Sequence, residues 1–244
     1  MKESSLKINT LPLQVLARSV GLSLAVLIST AVIVGCTNKD RSNTPPSQDS
    51  RFAVSSSGAE TSQTKTLVII GDSLTEGYGV PKEKAFPFLV EEKLASKDIS
   101  LKIINSGVSG STSASAPSRV QWALKSNPDY LALALGANDG LRGLSTEEMK
   151  KNLGEAIQAA KDQGAKVFLF GMYMPPNMGK KYTTEFAQVF LELSKEKEVP
   201  LLPFLLENVG GKKDLNQSDG IHPNEKGHEV LADTVFKFLQ EQLL

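Results

Sequence analysis

Residues 67–74 read Leu-Val-Ile-Ile-Gly-Asp-Ser-Leu, and they decide how the rest of the chain is interpreted. The apolar run Leu67–Ile70 is short and continuous, which is typical of a strand buried on both faces of a parallel sheet. Gly71 ends the run, and Ser73 stands where the chain is predicted to turn into a helix. In open α/β sheets, ligands bind at the carboxyl ends of the strands, so Ser73 is expected at a binding edge.

Four more short apolar runs follow at intervals along the chain. They are Leu101–Ile104, Tyr130–Leu135, Lys166–Phe170 and Pro200–Pro203. Together with the first run they predict five strands, and the segments between them carry helical patterns. We found no internal repeat.

The intervening segments show the signals that begin and end amphipathic helices. Ser145 and Glu148 form a capping box, and Gly164 closes the helix that this box opens. Pro223 is expected to open the last helix. Alternating strands and helices predict a parallel sheet with helices on both sides, and residues 65–244 are interpreted as one domain.

Polar residues and glycines follow four of the five predicted strands. These sets are Gly71–Ser73, Asn105–Thr112, Gly136–Gly140 and, some distance after the fifth strand, Asp219–Pro223. Because the carboxyl ends of parallel strands share one edge of the sheet, we expect the four sets to meet there. They supply a nucleophile, a base, an acid and hydrogen-bond donors, which are the parts of a serine hydrolase.

Two of these residue types also have ordinary structural interpretations. Ser73 could serve only as a helix cap, and Asp219-Gly220 could be a turn with His222 beside a helix. A hydroxyl needs a neighbouring base to become a good nucleophile. The chain has two histidines, and His222 is preferred as the base because Asp219 precedes it closely; His228 is expected at the surface.

The four sets resemble the sequence blocks of the SGNH (GDSL) hydrolase superfamily, and they occur in the same order across nearly all of residues 66–240. Residues 138–143 and 174–177 are similar to the bacterial acyl-CoA thioesterase I / protease I / lysophospholipase subgroup and its arylesterase relatives. The resemblance implies an α/β fold, a three-layer α/β/α flavodoxin-like sandwich with a five-stranded parallel sheet. It also implies hydrolysis of ester or thioester bonds in acyl substrates.

The resemblance assigns a role to each matching position. Ser73 matches the nucleophile, His222 the general base and Asp219 the acid that orients the base. The backbone N–H groups of Ser73 and Gly110 and the side-chain amide of Asn138 match the oxyanion hole. Asp72 is interpreted as a residue that holds the turn, with a second possible role as the orienting acid.

Some further residues are candidates for an acyl pocket without a signal that decides their role. Aromatic and methionine side chains are more often part of a core than of a binding site. The candidates are Trp122, Met172–Met178, Tyr78 and Leu141.

The first 64 residues are interpreted as a targeting signal and a tether rather than part of the fold. Lys2, Lys7 and Arg18 precede an uncharged run at residues 19–34, which is shorter than the roughly 20 residues of a spanning helix. Residues 33–36 resemble a bacterial lipobox, which implies removal of residues 1–35 and lipidation of Cys36. Residues 36–64 are rich in Ser and Thr and predict a disordered tether.

These features predict an extracytoplasmic protein of the bacterial cell envelope, anchored to a membrane by lipid on Cys36. The alternative is an uncleaved N-terminal anchor helix in which the cysteine is incidental. The chain is expected to act as a monomer.

The composition of the chain argues against several other classes of protein. The formal net charge of +0 argues against nucleic-acid binding, and one cysteine with two histidines argues against a zinc cluster. The G-x-S-x-G elbow is absent, which argues against the usual α/β-hydrolase arrangement. The phosphate-binding loop and the H-E-x-x-H motif are also absent, so no metal or other cofactor is expected.

Three functions remain open from the sequence. The first is an esterase acting on acyl esters or lysophospholipids, and the second is a carbohydrate acetylesterase. The third is a surface lipoprotein that binds lipid or glycan on a hydrolase scaffold without catalysis.

Overall fold

The structure is a computed structural model that describes residues 64–244. The signal predicted for residues 1–35, the lipidated Cys36 and the predicted tether up to residue 63 lie outside the described residues. No helix within residues 64–244 is long and apolar enough to cross a membrane.

Five parallel strands form one sheet, as the sequence predicts. The strands are β1 (Lys65–Gly71), β2 (Leu101–Gly107), β3 (Tyr130–Ala134), β4 (Lys166–Phe170) and β5 (Leu201–Leu202). Their order across the sheet is β2-β1-β3-β4-β5, which is the flavodoxin-like order. β1 and β2 extend beyond their apolar runs because Gly71 pairs with Gly107 at the carboxyl end. β5 is shorter than expected.

Seven α-helices connect and cover the strands within residues 64–244. They are α1 (Ser73–Glu76), α2 (Phe86–Ala95), α3 (Ala116–Ala123), α4 (Ala137–Leu141), α5 (Thr146–Asp162), α6 (Lys180–Lys197) and α7 (Glu225–Leu243). Four single 3₁₀ turns lie between them, at Lys82–Lys84, Ser113–Ser115, Leu124–Ser126 and Pro176–Met178.

The helices form two layers, one on each face of the sheet. On one face α5 packs against both α3 and α6, and on the other α2 and α7 pack together. β1 and β3 lie between these layers, and Leu67, Ile69 and Leu131 are completely buried. This packing confirms the three-layer α/β/α fold, and it explains why the strand runs are apolar at nearly every position.

The predicted helix signals are mostly found where the sequence places them. The hydroxyl of Ser145 accepts a hydrogen bond from the backbone N–H of Glu148 at 3.2 Å, which confirms the start of α5. The prediction that Pro223 opens the last helix is wrong by two residues. α7 begins at Glu225, and the side chain of Asn224 caps it by accepting from the N–H of Gly227 at 3.0 Å. Pro223 instead forms an isolated bridge with Asn216.

The prediction that His228 lies at the surface is also wrong. Its side chain is 1% exposed between α7 and α2, and its ring stacks on that of Phe86. Nδ1 of His228 accepts a hydrogen bond from the backbone N–H of Phe86 at 3.3 Å. Burial, with a smaller contribution from His222, lowers the pKa of His228 to about 4. His228 is therefore neutral at pH 7 and joins two helices.

We expect this histidine to make the fold sensitive to acid. The folded pKa is below the ordinary value of 6.5, so the neutral ring stabilises the fold above that pH. The stabilisation should be lost as pH falls from about 6.5 to about 4, by roughly 2–3 kcal/mol. Urea denaturation at pH 7 and pH 4.5 measures the free energy of unfolding at each pH. The decrease between the two pH values should be smaller for His228→Asn than for the unchanged protein. The amide oxygen of this variant can still accept from the N–H of Phe86.

A His222→Asn variant removes the other histidine and should keep the acid-induced loss. The same loss in His228→Asn as in the unchanged protein would show that His228 does not cause it.

Candidate active site

Ser73 projects from the tight turn between β1 and α1. Asp72 is the N-cap of α1, because its carboxylate accepts from the backbone N–H of Leu74 at 3.0 Å. Ser73 is the first residue of the helix, so its hydroxyl does not cap the helix and its N–H has no partner inside it. A Cβ on Gly71 would lie 1.9 Å from Oγ1 of Thr75, so this turn needs glycine.

His222 reaches Ser73 from a turn far along the chain. The hydroxyl of Ser73 donates to Nε2 of His222 at 2.9 Å. The turn that carries His222 is closed by the backbone N–H of Gln217, which donates to the carbonyl of His222 at 2.7 Å. Gly220 has φ +75°, a left-handed conformation that favours glycine within this turn.

Asp219 holds the other side of the His222 ring. Nδ1–H of His222 donates to Oδ2 of Asp219 at 2.7 Å. Because a carboxylate can only accept, this bond places the ring proton on Nδ1 and leaves Nε2 to accept from Ser73. Oδ1 of Asp219 accepts from the backbone N–H groups of Ile221 and His222, both at 3.0 Å. The structure therefore brings Ser73, His222 and Asp219 into one hydrogen-bonded chain.

The two aspartates near the site have opposite electrostatic environments. The side-chain hydrogen bond with His222 is the main cause that lowers the pKa of Asp219 to about 2, so this group is ionised at neutral pH. Burial raises the pKa of Asp72 to about 6. Asp219, and not Asp72, is hydrogen-bonded to the imidazole, so the possible second role of Asp72 as the orienting acid has no contact to support it.

Ser73, Gly110 and Asn138, which carry the three predicted oxyanion donors, line one cleft together with His222. Gly110 has φ +77° in the loop after β2, and Asn138 lies in the first turn of α4. Nδ2 of Asn138 donates to the carbonyl of Ser111 at 3.1 Å, which uses one of its two N–H bonds. Asp139, 3% exposed, accepts from the backbone N–H and the hydroxyl of Ser113 and so anchors the loop to α4.

A cleft of about 600 Å³ opens beside Ser73 and His222. Of the candidate pocket residues, Tyr78, Leu141 and the stretch from Met172 to Pro176 line it. Trp122 does not; it is 69% exposed on α3. The cleft is lined mainly by apolar side chains, so it suits the hydrocarbon part of a ligand.

Sequence reasoning missed two parts of this site. Phe204, Leu206, Gly210 and Gly211 line the cleft from the long connection between β5 and α7, for which no motif was recognised. The ring of Tyr78 lies 4.7 Å from the ring of His222, a contact that requires the folded chain. Within residues 64–244, no cluster of three or more His, Cys, Asp or Glu side chains is arranged to hold a metal ion.

Comparison with known proteins identifies the family. Residues 69–230 match the model of the GDSL-like Lipase/Acylhydrolase family, which is more than half of the chain. The chain belongs to this family. It is a GDSL-type esterase, as the sequence motifs predict.

Several relatives of this GDSL esterase are named for ester hydrolysis. It is 38% identical over 176 residues to the Thioesterase 1/protease 1/lysophospholipase L1 of Escherichia coli, covering 72% of this chain and 83% of that protein. It is 34% identical over 180 residues to the Esterase TesA of Pseudomonas aeruginosa, covering 73% and 90%. The crystal structure of the psychrotrophic esterase EstA from Pseudoalteromonas, inhibited by monoethylphosphonate, matches with TM-score 0.71 and 32% identity, covering 73% and 98%.

Substitution of the two aspartates should separate their contributions in this GDSL esterase. Asp219→Asn keeps acceptors for the backbone N–H groups but loses the charge beside His222, so kcat should fall by about 10³–10⁴-fold. Asp72→Asn keeps a carbonyl oxygen for Leu74 and should reduce kcat by less than about ten-fold. Steady-state ester hydrolysis gives kcat for each variant, and thermal unfolding shows whether each variant is folded. A larger loss in Asp72→Asn would contradict the assignment.

Proposed function

We propose that the chain is a serine esterase that cleaves acyl esters through Ser73, His222 and Asp219, with an oxyanion hole formed by Ser73, Gly110 and Asn138. The observation that carries the proposal is the pair of hydrogen bonds at His222. Nε2 lies 2.9 Å from Oγ of Ser73, and Nδ1 lies 2.7 Å from the carboxylate of Asp219. These are the distances that base activation of a hydroxyl needs.

In the first half of the reaction, Oγ of Ser73 attacks the carbonyl carbon of the ester and its proton passes to Nε2 of His222. The carbonyl oxygen becomes an oxyanion and accepts from the N–H groups of Ser73 and Gly110 and from the amide of Asn138. When the intermediate collapses, His222 gives the proton to the leaving alkoxide. An acyl group then remains on Ser73.

In the second half, His222 accepts a proton from water, and the resulting hydroxide equivalent attacks the acyl-enzyme. Collapse of this second intermediate returns the proton to Oγ of Ser73 and releases the carboxylic acid. Asp219 is ionised throughout and stabilises the imidazolium that forms twice in the cycle.

The apolar lining of the cleft supports acyl chains as the substrate class. Met172, Met174, Phe204 and Leu206 give it apolar walls that a hydrocarbon chain can contact along its length. Relatives carry the names arylesterase and thioesterase 1/protease 1/lysophospholipase L1. Lysophospholipids or small esters therefore fit better than acetylated carbohydrates, and a thioester is expected to react at the same site.

We propose further that the enzyme works outside the cytoplasm, anchored to a membrane by lipid on Cys36. The support is the basic N-terminal segment, the uncharged run at residues 19–34 and Gly35-Cys36 directly after it. An anchored esterase would meet membrane-derived acyl substrates at short range, whereas fatty-acyl-CoA would be an awkward natural substrate in this compartment.

Hydrolysis of p-nitrophenyl esters from acetyl to palmitoyl by residues 64–244 and by the full chain tests the esterase proposal. Each methylene that enters the cleft should raise kcat/KM by about four-fold until the cleft is filled, from roughly 0.8 kcal/mol per buried CH₂. Ser73→Ala should reduce turnover by about 10⁶-fold.

The matched control is Ser118→Ala, which removes an exposed hydroxyl on α3 that donates only to the carbonyl of Ser115. It should leave turnover unchanged. Activity that survives Ser73→Ala would refute the serine mechanism, and acetyl-only activity would favour the carbohydrate acetylesterase.

The anchor is tested in the full chain by metabolic labelling with an alkynyl fatty acid. Wild-type protein should carry the label, and Cys36→Ser should lose it because Cys36 is the only cysteine of the chain. Asn38→Ala, two residues away, should behave like wild type. Label that persists in Cys36→Ser would refute attachment at Cys36, and an unlabelled wild-type chain that retains residues 1–35 would favour the uncleaved anchor helix.

A further inference from the structure

The three proposed oxyanion donors lie on three separate elements. The N–H of Ser73 lies at the start of α1, the N–H of Gly110 lies in the loop after β2, and the amide of Asn138 lies on α4. Stabilisation of an oxyanion depends on donors held at 2.7–3.1 Å from the oxygen before the reaction begins. The position of the loop at Gly110 relative to α1 is therefore critical.

The side chain of Glu76 connects these two elements. Glu76 is the last residue of α1, three residues after Ser73. Its Oε2 accepts a hydrogen bond from the backbone N–H of Ser109 at 2.7 Å, and it also accepts from the hydroxyl of Ser109. Both bonds are assisted by the carboxylate charge, which makes them shorter and stronger than neutral hydrogen bonds. Ser109 directly precedes Gly110.

The far side of the same loop is held by α4. The guanidinium of Arg142 donates to the carbonyl of Gly110 at 3.0 Å, and Nδ2 of Asn138 donates to the carbonyl of Ser111. Ser109 and Gly110 are exposed, so little side-chain packing restrains them. An exposed loop without packing takes its position from such hydrogen bonds. Glu76 supplies the side-chain bonds that join this part of the loop to the helix of Ser73.

We propose that Glu76 is a positioning residue that sets the spacing between the N–H of Ser73 and the N–H of Gly110. The inference rests on the proposed serine mechanism and adds a residue that the mechanism does not itself require. Glu76 touches no reacting atom; it acts through Ser109. With the carboxylate bound to Ser109 on one side and Arg142 bound to Gly110 on the other, the donor at Gly110 is fixed before substrate arrives.

The test compares Glu76→Ala, Glu76→Gln and Glu155→Ala in the full chain. Loss of one oxyanion donor costs about 10²–10³-fold in kcat, so displacement of a donor by Glu76→Ala should cost about ten-fold or more. KM should change by less than about two-fold, because the ground-state carbonyl depends little on these donors. Glu76→Gln can still accept from Ser109 and should recover part of the loss.

Glu155→Ala is the matched control, because it removes the same charge from an exposed position on α5 and should leave kcat unchanged. Ser109→Ala approaches the contact from the other side. It removes one of the two donors and should give a loss between those of wild type and Glu76→Ala, which keeps the test valid if Glu76→Ala folds poorly.

A second readout uses a p-nitrophenyl alkylphosphonate, which forms a tetrahedral adduct on a serine nucleophile. Its rate of inactivation should fall in parallel with kcat in Glu76→Ala. In an Asn138→Ala background, the effect of Glu76→Ala should differ from its effect alone, because both residues act on one oxyanion.

The outcomes separate this inference from the function it rests on. If Ser73→Ala remains active, the serine mechanism fails. If Ser73→Ala is inactive but Glu76→Ala matches Glu155→Ala in kcat and in phosphonate inactivation, the serine mechanism stands and the role of Glu76 is overturned. A rise in KM at unchanged kcat also overturns it.

Discussion

The parallel pairing of β1 with β2 on one side and with β3 on the other positions the candidate active site. This pairing aligns Gly71 with Gly107 and with Ala134, so the three strands end at the same edge of the sheet. The order of strands reverses between β1 and β3, which opens a crevice at that edge. Three short connections therefore meet at this edge: the turn of Ser73, the loop of Gly110 and the helix of Asn138. His222 alone must be brought there by a separate connection, and the turn at Gln217–His222 holds it in place.

Two histidines and two aspartates of this protein differ in burial and hydrogen bonding, although each pair has the same side chain. His222 lies 18% exposed between a hydroxyl and a carboxylate, whereas His228 is buried against Phe86 and its pKa is lowered to about 4. The two aspartates divide in the same way, because Asp219 receives three hydrogen bonds whereas Asp72 is buried and desolvated. In the proposed mechanism His222 transfers the proton and Asp219 orients its ring, and the other histidine and aspartate serve the fold. The division follows from which helix or turn carries each residue.

Much of the fold was predictable because its signals are local. The apolar runs, the cap at Ser145 and the glycine at 164 each act within a few residues; the five strands and both ends of α5 are confirmed, with β5 shorter than its run. The errors arose where a local signal competed with another. Pro223 can begin a helix, but Asn224 caps the helix better since its side chain satisfies the N–H of Gly227. Likewise, one histidine on an amphipathic helix gives no sign of which neighbour covers it, and the burial of His228 against Phe86 is visible only in the folded chain.

The motifs around Ser73, Gly110, Asn138 and His222 lie next to recognisable strand and helix ends. The parallel sheet, the family and the residue types at the edge of the sheet could therefore be derived from the amino-acid sequence. Which of these groups come into contact depends on the folded arrangement of the chain. Contacts such as Glu76 with Ser109, Tyr78 with His222 and Phe204 with the cleft join residues far apart in the chain, and their distances depend on how whole layers pack. A single sequence shows which residues each helix and strand contains. The distances on which hydrogen bonds depend are set by how the helices pack against the sheet.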